Sequence, residues 1–195
     1  MSISKARPGE RSVTTQYLIF NAEINEKSAN ILSSAIAEAI NDPSIEDIYF
    51  GFSSPGGQVA FGIGAHHAIK SSPKPITMHA LGAVDSIAVA IFLAAPKRYA
   101  VEGSRFGFHP VTRYVPAGNY NQALLNDHVS LIKDDENRLS GIWQSHLKLE
   151  DGELSTLFQG EHPHDCAWAL SRGLIERVAD FYIPASAIAR IRNIS

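Results

Sequence analysis

The chain has 195 residues, 45% hydrophobic and 19% charged, with a formal net charge of −3, the profile of an ordinary globular protein. The mild acidic balance and the lack of a basic block exclude nucleic acid as the main partner. The polar opening MSISKARPGERS has no apolar signal core, and the longest apolar run, Ile87 to Ala95, is far below the roughly 20 residues of a membrane span. Cys166 is the only cysteine, which rules out a disulfide within the chain and sets the expectation of a reducing, cytoplasmic setting.

Residues 1–15 carry Pro8, Gly9 and several charges and read as a loosely ordered arm. The rest, 16–195, reads as a single domain. Tyr17 to Phe20 is a short strand. Asn25 can cap a helix to about Ile40, with Leu32, Ala35, Ile36 and Ala39 on one face, and Asn41–Asp42–Pro43 stops it. Ile45 to Ser53 is a second strand, too uniformly apolar for an edge. After SSPGG, a helix is expected from about Gln58 to Ser71. Pro75 to Ala80 is a third strand, followed by a turn at Gly82 and an apolar helix. Tyr99 to His109 is a fourth strand interrupted by Gly103. Asn119 to about His146 is the longest helical pattern, with a thin apolar seam (Leu124, Leu125, Val129, Ile132, Leu139, Ile142, Trp143) that suits a partner better than a core. Asp165 to Arg172 is a short helix ended by Gly173, and Leu174 to Val178 a last strand. Strands alternating with helices predict an α/β domain with mostly parallel strands and right-handed crossovers, whose sites collect where strands end and helices begin.

Three stretches at such junctions carry chemistry. Ser54 to Gly57 (SPGG) follows a strand, and its adjacent glycines let backbone N–H groups approach a bound group. Asp85–Ser86 precedes the apolar helix. Either residue can cap it; alternatively Ser86 is a nucleophile, with its hydroxyl and the Ile87 N–H at the positive end of the helix. His109 ends a strand in SRFGFHP, and Pro110 biases it to extended backbone. Serine hydrolysis needs a nucleophile, an imidazole base, an acid that orients the base and N–H donors for the oxyanion. Ser86 and His109 fill the first two roles, and Gly57 with Ile87 can supply the donors. The α/β-hydrolase elbow Gly–x–Ser–x–Gly is absent. Elsewhere, His66 and His67 face different sides of a helix. The cluster Glu161, His162, His164 and Asp165 reads as a solvated loop rather than a metal site, so no metal and no cofactor is expected. The run Lys133 to Asn137 is a solvated helix face.

In order and type, IYFGFSSPGG, GAVDS and SRFGFHP resemble the motifs of the proteolytic subunit of the Clp protease, within the crotonase-like superfamily, over about residues 17–180. The resemblance implies repeated ββα superhelical units with a protruding handle helix, here about 119–146. It also implies a homo-oligomer of seven-membered rings stacked face to face, and a serine endopeptidase acting on peptides or unfolded proteins. Position by position, Ser86 would be nucleophile, His109 general base, and Gly57 and Ile87 oxyanion donors. The family's orienting acid falls on Glu161 counting back from Gly173–Leu174–Ile175, with Asp165 as rival.

Two departures frame the alternatives. Asp85 stands where the family has a small uncharged residue, and a carboxylate there can raise the His109 pKa or repel the oxyanion. PVTRYVPAGN replaces the Gly-rich segment that pairs with substrate, and the short arm leaves coupling to an ATPase ring open. A catalytically inactive ring subunit is the second reading. A crotonase-type acyl-CoA enzyme is the third, disfavoured by the Ser86/His109 pairing.

Overall fold

A computed structural model describes residues 14–194. The arm expected over 1–15 falls almost wholly outside them; Thr15 already opens β1 (Thr15–Asn21). Helix α1 (Glu26–Asn41) starts where the sequence places it. The Asn25 side chain accepts from the Ser28 N–H while Ser28 Oγ accepts from the Asn25 N–H, each at 3.0 Å, a reciprocal cap that satisfies two otherwise orphaned donors. Strand β2 (Asp47–Ser54), helix α2 (Val59–Lys70), strand β3 (Ile76–Asp85) and helix α3 (Ile87–Leu93) complete three β–α repeats. Two short strands follow, β4 (Lys97–Ala100) and β5 (Arg105–Phe108), split at Gly103. The long helix α4 (Gln122–His146) is capped by Asn121. After it come α5 (Glu153–Thr156), β6 (His162–His164), α6 (Cys166–Ser171) and β7 (Arg177–Val178). A 3-10 turn (Ala185–Arg190) leads to β8 (Ile191–Asn193).

The eight strands form one sheet in the order β6-β5-β3-β2-β1-β8, with β4 between β3 and β7. All pairs are parallel except β5 with β6. Strand β3 corrects the expected turn at Gly82. It runs on to Asp85, pairing first with β4 (Ala80 opposite Ala100) and then with β5 (Ala83 opposite Arg105). Exchange of partners, not chain reversal, is what happens at Gly82. The end of β3 thereby lies between β2 and β5.

The core explains the apolar helix. Every residue of α3 is buried, because α3 lies between the sheet, α2 and α4, and a helix buried all round needs apolar side chains all round. Its approach to α2 is close: a Cβ on Gly62 would stand 2.1 Å from Ile87 Cγ1. Two buried histidines are structural. His66 donates from Nδ1 to the Ala90 carbonyl at 2.7 Å. His79 donates from Nε2 to the Ala179 carbonyl at 3.0 Å and accepts from the Tyr49 hydroxyl at 2.9 Å. Helix α4 behaves as its thin seam predicts: only Leu139 and Trp143 are buried, and its first half carries exposed Leu124, Leu125, Val129 and Leu131. Among the described residues no helix is long and apolar enough to cross a membrane.

Candidate active site

Ser86 is the only non-glycine described residue with positive φ, at φ 59° and ψ −129°. That is the first central position of a type II′ turn, which glycine normally fills. A serine there is strained and is held by its surroundings. The Ser86 N–H donates to the Gly107 carbonyl at 2.7 Å, and the Ser86 carbonyl accepts from the Val89 N–H at 3.0 Å. On the third side stands Gly56, at φ +91°, where a Cβ would meet Ser86 Cβ at 2.7 Å. The reading of Asp85–Ser86 as a helix cap is not what the structure shows, since no side chain caps α3.

The SPGG stretch supports this turn from below. The Ile24 N–H donates to the Gly56 carbonyl at 2.7 Å, and the Gln58 N–H donates to the Ile24 carbonyl at 2.8 Å. Gly57 stands between these two bonds at φ +144°, its Cα so near the Ile24 carbonyl that a Cβ would lie 2.2 Å from the oxygen. The bridge leaves the Gly57 N–H unused, and the Ile87 N–H belongs to the first turn of α3, where no intrahelical partner exists. Among the described residues neither N–H makes a backbone hydrogen bond. Both are thus available as anion donors.

Asp85, at the end of β3, pairs with Gly107 in register. Its Oδ2 takes a 3.0 Å ion pair from Arg105 Nη2, with the Asp85 side chain 16% exposed and Arg105 61%. Gly107 makes room for the carboxylate: a Cβ there would fall 2.4 Å from Asp85 Oδ1. Sequence reading singled out Asp85 but missed Arg105 and Gly107. The signal was available in the alternation of SRFGFHP, where a glycine flanks a strand-end histidine at a step of two and so shares its face.

His109 directly follows β5. Its Nδ1 lies 2.7 Å from the Pro110 carbonyl oxygen, the only hydrogen bond of the ring among the described residues. No hydrogen bond joins it to Ser86. The two rival carboxylates part company here. Asp165 caps α6, accepting from the Trp168 N–H at 2.9 Å. Glu161 lies across from His109: β5 and β6 are antiparallel with Phe108 opposite His162, and one further step along that register faces His109 with Glu161. Asp85, Arg105, His109 and Glu161, with Pro55, Phe108 and His162, line one cavity of about 270 Å³.

Correcting the expected loop, His162 to His164 forms β6, and His164 stacks on Trp168 at 3.8 Å between ring centroids. Burial holds the His164 pKa below the ordinary imidazole value. Among the described residues no group of His, Cys, Asp or Glu side chains is arranged to hold a metal. A larger cavity, about 540 Å³, opens at the other end of the strands near Lys70, Lys74, Arg98 and His146. There Lys74 and Arg98 are engaged by main-chain carbonyls at the ends of helices.

The sequence matches the Clp protease family over residues 7–181. The fold is similar to that of a ClpP1 point mutant from Listeria monocytogenes, with a TM-score of 0.73, 20% identity, and coverage of 85% of this chain and 92% of that one. The strained serine turn, the glycine pair beneath it and the long protruding helix thus sit within a shared crotonase-like architecture, and the chain belongs to the Clp protease family.

Proposed function

We propose that this chain is a Clp-type serine peptidase that acts within a ring-shaped homo-oligomer, with Ser86 as nucleophile and His109 as general base. The observation that carries the reading is the II′ conformation of Ser86, a strain of about 1–3 kcal/mol that a protein retains only where the surroundings impose it. Ser86 Oγ would attack the peptide carbonyl while His109 Nε2 takes its proton. The Gly57 and Ile87 N–H groups would hold the oxyanion, and collapse would pass the proton from His109 to the leaving amine. Water then repeats the sequence on the acyl-enzyme. Glu161, which with Asp85 lines the cavity beside His109, is the candidate third member. Small peptides are the substrates expected to be cut best, since a ring secludes the site. A fluorophosphonate probe tests the reading: the folded, assembled protein is expected to label at Ser86, with labelling abolished in Ser86→Ala. Absence of label on the wild type would overturn it.

A second reading is favoured by the missing Ser86–His109 hydrogen bond and by Asp85 beside the nucleophile: a ring subunit without turnover. It expects Ser86→Ala to leave the protein's cellular effect intact, whereas the peptidase reading expects that effect to be lost.

A further inference from the structure

We propose that the cavity of about 540 Å³ at the opposite end of the strands from Ser86 is a second binding site, one that takes a small organic acid: a single carboxylate on a hydrocarbon body. It does not rest on the peptidase reading, since neither Ser86 nor His109 lines it. Strand β3 opens at Ile76 on its wall, and Ser86 follows the other end of that strand. The end of α2 and the turn after it supply Lys70 and Lys74, the start of β4 supplies Arg98, and the last turn of α4 supplies His146. Ile69, Ile76 and Leu93 are buried and form an apolar wall. The volume is that of a small-molecule site, which typically joins such a wall to a few polar groups. Among the described residues every ionisable group on the lining is basic, and no carboxylate is present there.

The cations are not neutralised from within the chain. None of Lys70, Lys74 and Arg98 takes part in an ion pair among the described residues. Main-chain carbonyls use only part of their donor capacity. Lys74 Nζ donates to the Ala39 and Asp42 carbonyls at 2.8 and 2.6 Å, which leaves one of the three ammonium protons. Arg98 donates from Nε, Nη1 and Nη2 to the carbonyls of Leu174, Ala95 and Gly173, which leaves two of the five guanidinium protons. A helix end amounts to about half an elementary charge, so Lys74 over-compensates the end of α1, and Lys70, in the last turn of α2, does the same there. Arg98 is half-buried, and burial pushes its pKa down, with Glu176 acting against this; an anion beside it relieves that cost. A carboxylate that enters therefore meets spare donors and excess positive charge, while its hydrocarbon part covers the apolar wall. A peptide terminus suits the cavity less, because its amide groups would face that wall without partners.

Titration calorimetry of the full chain with octanoate is the test. One octanoate per subunit is expected, with Kd below about 1 mM. Octanamide keeps the hydrocarbon and loses the charge, and acetate keeps the charge and loses the hydrocarbon. Both are expected to bind at least about tenfold more weakly. Lys70 is exposed, and Lys70→Gln should weaken octanoate about fivefold. Lys97→Gln, next to Arg98 but off the lining, should leave the affinity unchanged. Methyl resonances of Ile69, Ile76 and Leu93 should move as octanoate is added, a readout that needs no variant. No saturable binding, an octanamide affinity within about twofold of that of octanoate, or an unchanged affinity in Lys70→Gln would each overturn the inference. So would methyl shifts confined to Leu124 and Leu125, which would place the acid on the exposed face of α4. Fluorophosphonate labelling of Ser86 reports on the peptidase reading alone, so the two ideas stand or fall separately.

Discussion

Ser86 is the residue on which the site turns, because its backbone is unfavourable for any side chain. The strain has a checkable signature. Ser86→Ala removes the hydroxyl but keeps the Cβ, so the strain persists; Ser86→Gly removes both. Thermal unfolding should therefore rank Ser86→Gly above Ser86→Ala by about 1–3 kcal/mol, the opposite of the usual preference for alanine over glycine. Equal stabilities would show that the turn is relaxed. The neighbouring glycines belong to the same device. Gly56 lets Ser86 approach, and Gly107 leaves a space that the Asp85 carboxylate fills while Arg105 pairs with it. Only Oδ2 of Asp85 is paired in this way; its Oδ1 is buried with no hydrogen-bond partner among the described residues. The presence of Asp85 was plain in the sequence. Its partner was not, since Arg105 lies on another strand and reaches Asp85 only once β3 and β5 pair.

Helix α4 divides into two halves with different roles. Trp143 is buried against Phe108 and Phe158, with ring centroids 4.9 and 4.8 Å away, so its truncation should destabilise the subunit. Trp143→Ala is expected to cost about 3–5 kcal/mol in denaturant unfolding. Leu124 and Leu125 are 47% and 48% exposed, and an apolar row left in water marks a contact surface. Under the proposed ring assembly, Leu125→Glu should leave subunit stability within about 0.5 kcal/mol while sedimentation shows the assembly falling to a smaller species. Unchanged mass would separate α4 from assembly. The periodicity of α4 was legible because the apolar seam is local to one segment. The short strands β6 and β8 were not. Three residues carry too little pattern, and each becomes a strand only because a distant edge, β5 or β1, supplies its hydrogen bonds.

Across the molecule, two buried histidines and the half-buried His164 make stability depend on pH. Burial is the leading cause that holds His66, His79 and His164 below the ordinary imidazole value. The unfolded chain takes up these protons near pH 6.5 while the folded chain resists them. Their contribution is therefore complete above about pH 6.5 and is lost as the pH falls from there through the lowered folded values. The melting temperature should drop between pH 7.5 and 5.5. His66→Asn, which can keep the bond to the Ala90 carbonyl, should drop less steeply; an identical slope would remove His66 from the account. The alternation of strands and helices, the Asn25 cap of α1 and the two-faced character of α4 were all determined by the sequence itself, because each depends on side chains within a few residues of one another. Only the tertiary structure decided that β3 changes partners to bring Asp85 beside Arg105, that β5 and β6 pair antiparallel with Phe108 opposite His162, and that Ser86 adopts a glycine's backbone. Those outcomes depend on strand register and on atoms packed from distant parts of the chain, which no local pattern encodes.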